Sequence, residues 1–449
     1  MTLTCFKAYD VRGKVPSELD GELAERIGAA YAQVLKPGTV AVGHDMRLSS
    51  PEIAYALVQG LTRGGANVLF LGQCGTEEVY FATFHRQLDG GIMVTASHNP
   101  ADYNGMKLVG RNASPIGRDS GLNEIEQLAA APIAPGPSRG KVEGQDLRGE
   151  YLDFLLENFD LERLKGRKMV CNGGNGCAGP VVLAMAERLG WNLQLLHGDP
   201  DGNFPHGVPN PLLPEKRHHT TDAVLKADAD LGVAWDGDFD RCFFFDEHGE
   251  FVDGYYLVGL LAERALFFNP GATILHDPRQ IWNTIERVEK SGGMAVQIPT
   301  GHVFFKKKMQ ELQAAYGGEM SAHHYFQRFG GCDSGMLPWL WVLDWMSRKD
   351  RGLAELIRNA RNKYPVSGEI NRTVKDAGAV MRLVRERYEP ESIRVDTMDG
   401  ISLEFADWRF NLRASNTEPL LRLNLESRGD EGLVSSKKDE LLELIEAQG

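Results

Sequence analysis

The chain has 449 residues, too many for one hydrophobic core, so three or four domains of ordinary size are expected. Its make-up, 42% hydrophobic and 25% charged without a low-complexity tract, is that of a globular protein rather than a disordered or fibrous one. A formal net charge of -13 argues against a general nucleic-acid or acidic-membrane binder, because phosphate polyanions require a basic face, but it leaves room for a local basic pocket holding a small phosphorylated molecule.

The N-terminal stretch MTLTCFKAYDVRGK carries no apolar signal core, and no later apolar run reaches the length of about 18 residues that a membrane span needs, so a cytoplasmic protein is expected. The first 145 residues alternate strand and helix: a strand over 39–43, a helix to about 63 capped by Ser50 with Pro51 in first position, a strand over 67–71, a helix over 77–88 and a strand over 91–96. Residues 131–139, APIAPGPSR, read as a linker. The alternation restarts with strands over 168–172, 192–197 and 231–235 and helices over 180–189 and 219–226. A third round holds helices over 255–267 and 280–290, strands over 273–276 and 294–297, and a helix carrying Lys306, Lys307 and Lys308. The tail changes character, with short strands over 401–405, 409–412 and 420–425 and a last helix from about 432. The pattern predicts α/β domains over 1–145, 146–250 and 251–364, built on mixed sheets covered by helices, and a smaller α+β domain over 365–449. Six scattered cysteines (Cys5, Cys74, Cys171, Cys177, Cys242 and Cys332) form no CxxC pair and predict buried thiols in a reducing compartment.

Four clusters carry chemistry. At the end of the apolar strand 231–235 stands Asp236-Gly237-Asp238-Phe239-Asp240-Arg241. Alternating carboxylates in an extended loop can aim at one point, where a divalent cation relieves their repulsion, and all-oxygen ligands favour Mg²⁺. Arg241 can hold a phosphate oxygen there. The bland alternative is a solvated acidic turn. The second cluster, Thr95-Ala96-Ser97-His98-Asn99-Pro100, also follows a buried strand. Phosphorylated Ser97 would be a phosphoryl donor if this loop faces the aspartates, with His98 orienting the substrate or moving a proton. A Ser-His hydrolase is discounted because neighbours on an extended turn point opposite ways and no GxSxG elbow is present; a plain turn before Pro100 is the other reading. In Gly318-Glu319-Met320-Ser321-Ala322-His323-His324, an extended backbone would put Glu319 and Ser321 on one face with His323 next, suiting adjacent sugar hydroxyls, or the segment is a strand-end turn with one exposed histidine. Nearby, His302 opens a helix as a sugar contact or merely a cap. Last, Arg413-Ala414-Ser415-Asn416-Thr417 can hold an unreacting phosphate, or is a polar turn between strands. Gly174, Gly176 and Gly179 match a dinucleotide fingerprint, which tight strand-to-helix packing explains as well.

Together with Phe6-Lys7-Ala8-Tyr9-Asp10-Val11-Arg12-Gly13, these clusters resemble, in order and over nearly the full chain, the α-D-phosphohexomutases, most closely the bacterial phosphomannomutases. The resemblance implies four domains in a heart-shaped arrangement around a central cleft. It implies that Ser97 is the phosphorylated catalytic residue and a Mg²⁺ ligand beside Asp236, Asp238 and Asp240. Glu319, Ser321 and His323 would read sugar hydroxyls, and Arg413, Ser415, Asn416 and Thr417 would anchor the phosphate already on the sugar. Tyr9, Arg12, His98, Lys107, Arg241 and His302 match family active-site positions, with Lys107, His98 and His302 as candidate acid/base groups, and Arg422 is assigned to substrate binding. Arg279 stands where the family has a lysine, which keeps the charge. The expected activity is reversible conversion of mannose 6-phosphate and mannose 1-phosphate through a hexose 1,6-bisphosphate, which also serves as activator. A phosphoglucomutase or dual enzyme is the near alternative, and an inactive phosphosugar-binding protein the distant one. A monomer with no nucleic-acid or membrane partner is expected.

Overall fold

The computed structural model of the protein describes residues 3–136, 138–414 and 420–447, in two compact units: residues up to 251 together with 323–350, and residues 252–322 together with 351 onward. The first unit begins with two helices laid against each other, Gly21–Leu35 and Ser50–Arg63. The Asp20 side chain accepts from the Leu23 N–H at the start of the first, and Leu23, Ile27, Ala30 and Tyr31 recur at the spacing that gives it one buried face. The helices approach so closely that a Cβ on Gly60 would lie 1.9 Å from the Glu25 carbonyl oxygen, and one on Gly28 would lie 2.3 Å from that of Leu57.

Behind this pair runs a mixed sheet in the order Val11–Lys14, Tyr103–Gly110, Gly90–Val94, Thr39–His44, Asn67–Gln73 and Val142–Gly144. The first two strands run antiparallel to their neighbours and the rest are parallel. Gly90–Val94 is buried along its whole length, as a strand covered on both faces must be. The same unit holds a second sheet in which Leu193–Leu196, Met169–Asn172 and Leu231–Trp235 are parallel and Cys242–Phe245 is antiparallel. In the second unit, Met294–Gln297, Thr273–His276 and Tyr316–Gly318 are parallel, whereas Ile370–Thr373, Leu420–Ser427, Trp408–Ala414, Ile401–Glu404 and Arg394–Asp396 make an antiparallel sheet in that order. These two parts of the second unit are tied by Glu426. Its buried carboxylate accepts from Ile281 N–H (2.7 Å), Arg409 Nη1 (2.9 Å) and the Tyr255 hydroxyl.

Several expected boundaries shift for local reasons. Ser50 does not cap its helix but is the first helical residue, because its hydroxyl donates to Asp45 Oδ1 instead. The helix expected to reach 88 ends at His85, where Gln87 turns into the left-handed region and the Leu88 N–H closes back on the Thr83 carbonyl. The strand expected to reach 96 ends at Val94, after which Thr95 Oγ1 donates to Asp45 Oδ2. All six cysteines are buried and free. Among the described residues no helix is long and apolar enough to cross a membrane. Packing accounts for the dinucleotide-like glycines, since a Cβ on Gly179 would stand 1.8 Å from the Gly198 carbonyl oxygen.

The helix contact gives the first prediction. Gly60→Ala forces a methyl into a backbone carbonyl that cannot rotate away, and should lower the unfolding free energy by about 2–3 kcal/mol. Urea unfolding would register this as a lower midpoint at unchanged slope.

Candidate active site

Two loops of the first unit meet at Ser97. The first continues the strand Gly90–Val94, and its backbone is turned by Ser97 itself, with φ at +48°. Arg47, buried in the core, holds this loop from outside. Its guanidinium donates to four carbonyl oxygens, those of Ser97 (2.8 Å), Asn99 (2.7 Å), Pro100 (2.7 Å) and Tyr103 (2.9 Å), and it lies over the Phe204 ring. Asp45 beneath it accepts from the Arg47 N–H and from the hydroxyls of Ser50 and Thr95.

The second loop follows the fully buried strand Leu231–Trp235. It is a tight turn rather than the extended segment expected: Phe239 has φ at +47° and its N–H donates to the Asp236 carbonyl. Phe239 is buried and its ring fills the space where a Cβ on Gly75 would be. Gly237 lets the two loops touch, since a Cβ there would lie 2.7 Å from the Ser97 carbonyl oxygen.

The turn brings ligand atoms of Asp236, Asp238 and Asp240 within 4.8 Å of one another, and all three side chains are buried. Their repulsion is met by two cations of the protein. Lys107 Nζ bonds Asp238 Oδ2 at 2.6 Å and also reaches Asp240 Oδ2, and Arg241 reaches Asp236 Oδ2 at 2.7 Å. Ser97 Oγ donates to Asp236 Oδ2 at 2.6 Å and accepts from Arg241 Nη2 at 2.9 Å. Burial pushes the Asp236 carboxyl up to about 7 against the opposing pull of Arg241. Burial also acts to strip the Lys107 proton, but the charges of Asp238, Asp240 and Asp236 outweigh it and hold the ammonium above its usual range. His98 is held well below its ordinary pKa, first by burial and then by Arg241 and Arg12, so it is a neutral imidazole.

The set fits a hard divalent cation. Every donor is an oxygen, Asp238 Oδ1 is buried without a hydrogen-bond partner, and the carboxylates outnumber the cations that face them. Asp240 also lies 3.9 Å from His323 Nε2 and makes a second group of candidate ligands with His323 and Asp333. Arg12, on the strand Val11–Lys14 just past Tyr9, reaches Asn99 Oδ1 at 2.6 Å and Asp10 at 2.6 Å, which brings it to the Ser97 loop.

The second unit gathers a different constellation. Arg279, Arg413 and Arg422 surround Glu369 at 3.1, 3.8 and 3.4 Å. Arg279 also bonds Asp277 Oδ2 (2.7 Å) and reaches Ser321 Oγ (3.3 Å). With Asp277 on Arg279 and Asp399 4.0 Å from Arg413, three carboxylates face the three guanidinium groups, and burial followed by Arg279 lowers the Arg413 pKa. Glu319 accepts from the Gly301 N–H at 2.9 Å, at the start of the helix His302–Glu311 that His302 opens.

Some expectations need correction. Ser97 and His98 do not point opposite ways: the left-handed turn at Ser97 puts its Oγ 3.0 Å from His98 Nδ1. Glu319 and Ser321 do not share an extended face, because the Ala322 N–H closes a turn on the Glu319 carbonyl, with Ala322 at φ +71°. The compact units also part this segment, with Glu319 and Ser321 in one and His323 in the other. Of the two histidines in this segment, His324 is fully buried and His323 is partly exposed. Ser415, Asn416 and Thr417 lie outside the described residues. Arg47, Asp45, Thr76 (whose hydroxyl donates to Asp238 Oδ2) and Glu369 were not foreseen; the one signal for the first two is the polar His44-Asp45-Met46-Arg47 segment directly after a buried strand.

Comparison with known proteins agrees along the chain. Four descriptions of the phosphoglucomutase/phosphomannomutase family match in order: alpha/beta/alpha domain I over residues 4–133, domain II over 149–249, domain III over 253–364 and the C-terminal domain over 369–444. A phosphomannomutase of Escherichia coli (strain K12) is 52% identical over 451 residues, covering 99% of each chain. A Xanthomonas campestris protein named for phosphohexose mutases is 52% identical over 446 residues, covering 99% of this chain and all of that one. The crystal structure of a phosphoglucomutase/phosphomannomutase family protein from Burkholderia thailandensis superposes with a TM-score of 0.89 at 30% identity, over 100% of this chain and 98% of that one.

Two predictions follow from the charges. Lys107→Met leaves Asp238 and Asp240 facing each other uncompensated and should cost about 3–5 kcal/mol; in thermal melts, added Mg²⁺ should raise the variant's midpoint more than that of the native protein. Burial lowers the His324 pKa to about 3, against about 6.5 in an unfolded chain, so its share of stability is complete above about 6.5 and is lost as pH falls toward 3. Between pH 7.5 and 5.5 the native protein should therefore lose about 1.4 kcal/mol more than His324→Gln does, read from paired urea titrations.

Proposed function

The chain belongs to the phosphoglucomutase/phosphomannomutase family, and from that premise we propose that it is a phosphomannomutase, an isomerase that interconverts mannose 6-phosphate and mannose 1-phosphate. The observation that carries the reading is the pairing of Ser97 Oγ with Asp236 and Arg241 in a buried pocket of three aspartates. Phospho-Ser97 gives its phosphoryl group to the free hydroxyl of a hexose phosphate. The P–O bond to Ser97 breaks as the bond to the sugar oxygen forms, and the proton lost by the sugar hydroxyl is balanced by the one the Ser97 oxygen takes up, giving a hexose 1,6-bisphosphate. That molecule turns over and returns its other phosphoryl group to Ser97. On the return, Asp236 is the nearest acceptor for the Ser97 hydroxyl proton. Arg241 lies within reach of the transferring oxygens, and Lys107 is a fixed positive charge beside them. Neutral His98 orients the substrate rather than donating a proton.

Asp236, Asp238, Asp240 and an oxygen on Ser97 would hold Mg²⁺, which when bound polarises the transferring phosphoryl group. Arg279, Arg413 and Arg422 supply the charge to hold the phosphate that is not reacting, with Ser415, Asn416 and Thr417 beside them in the sequence. Glu319, Ser321 and His323 read sugar hydroxyls, with His302, Tyr9 and Arg12 completing the substrate contacts. Four domains over 1–145, 146–250, 251–364 and 365–449 would each contribute one of these clusters. Buried free thiols are compatible with a cytoplasmic monomer.

The test is kcat/KM for mannose 1-phosphate and for glucose 1-phosphate, with Mg²⁺ and a trace of hexose 1,6-bisphosphate. We expect the mannose sugar to be preferred and Ser97→Ala to lose at least about a thousandfold in turnover. Equal values for the two sugars would replace the name with a dual-specificity enzyme, and no turnover of either would refute the mutase reading.

A further inference from the structure

Four histidine rings touch one another on the first unit, away from the aspartate loop in sequence. His197 and His206 are stacked with centroids 3.6 Å apart, His219 stands edge-on to His197 at 5.0 Å, and His218 lies 4.0 Å from His219. They come from the residue after the strand Leu193–Leu196, from the loop that follows, and from the start of the helix His218–Ala227. Bringing imidazoles this close is unfavourable if they are charged.

Hydrogen bonding sets the tautomers. His218 Nδ1 lies 3.0 Å from the Glu215 carbonyl oxygen, which only accepts, so Nδ1 carries the proton. His197 Nδ1 lies 3.2 Å from Asn172 Oδ1, and that atom is known to be the oxygen because the Gly174 N–H donates to it. His206 Nδ1 lies 2.8 Å from Asn175 Oδ1, which is the oxygen because Asn175 Nδ2 donates to the Asp199 carbonyl. In the neutral tautomer that these bonds select, each of the three rings holds its proton on Nδ1, which leaves Nε2 as the atom a metal would take. Burial, reinforced by His206 and His219, lowers the His197 pKa to about 4, so that its ring is neutral at ordinary pH. His197 also holds φ at +45°, a left-handed conformation that costs a non-glycine residue energy.

We propose that His197, His206, His218 and His219 form a second metal site, taking a borderline transition-metal dication such as Zn²⁺, Ni²⁺ or Co²⁺ rather than Mg²⁺. Among the described residues, only the aspartate loop and the Asp240–His323–Asp333 group already bring three candidate ligands together. The histidine site therefore closes on the ion by turning the exposed rings of His206 and His218, which give up their Nδ1 bonds to Asn175 and to the Glu215 carbonyl in exchange for the metal.

The experiment is calorimetric titration of Ni²⁺ into the full-length protein in excess Mg²⁺, for the native chain, for Asp238→Asn, and for His206→Gln with His218→Gln. Both changed histidines are exposed, so folding is expected to survive, and a thermal melt in the absence of Ni²⁺ checks it. The expected result is a single Ni²⁺ bound by the native protein and by Asp238→Asn alike, with affinity falling about 10-fold or more in the histidine variant. The visible spectrum of bound Co²⁺ should change in the same variant. Binding untouched by the histidine changes, binding lost in Asp238→Asn, or no binding by the native protein would each overturn the site.

Discussion

Three carboxylates buried at the end of one strand are the constraint around which the first unit is arranged. Unpaired, Asp236, Asp238 and Asp240 would repel one another in surroundings where charge is poorly screened. Each is met by a partner: Lys107 from the antiparallel strand beside Gly90–Val94 and the Thr76 hydroxyl from the start of a helix, both far along the chain, and Arg241 from the loop's own end. Ser97 enters the same network through Asp236 and Arg241, so the nucleophile is held in place by the groups that neutralise the aspartates. The long reach in sequence of these contacts arises because the two loops leave different sheets, one after Gly90–Val94 and the other after Leu231–Trp235, and meet at Ser97.

The second unit solves the opposite problem. Arg279, Arg413 and Arg422 converge on one carboxylate, Glu369, with Asp277 and Asp399 also facing two of them. Burial works against the charged form of Glu369, but the three arginines prevail and lower its pKa. A resident carboxylate that an anionic ligand could displace keeps such a cluster folded when no ligand is bound. An arginine at position 279 fits this geometry, because a planar guanidinium can address Asp277, Glu369 and Ser321 at once where an ammonium has a single centre.

The sequence was most legible where function is written in consecutive residues. The DGDFDR and TASHNP segments announce themselves by residue type and by the buried strands before them, and the apolar runs located most strands to within a residue or two. What stayed hidden was made by topology. Thr76, Glu369 and Glu426 are single polar residues whose partners lie far along the chain, so nothing local distinguishes them from surface positions, and Asp45 and Arg47 show only as a polar segment after a buried strand. Turns were misjudged for a related reason: Ser97, Phe239 and Ala322 adopt positive φ without being glycine, which no residue preference would forecast. The extended-chain geometry assumed for Glu319 and Ser321 failed at one of those three residues.

The four-carbonyl grip of Arg47 has a consequence for how such a loop changes over time. Because a side chain outside the loop grasps its backbone, the path of residues 97–100 depends little on which side chains those residues carry. Chemistry and scaffold are thereby written in separate places. A lineage could exchange the residues that face the substrate, and explore new sugars or new leaving groups, without rebuilding the turn that presents them. Arg47 itself has no such freedom, since lysine has one charged centre and could not span four acceptors.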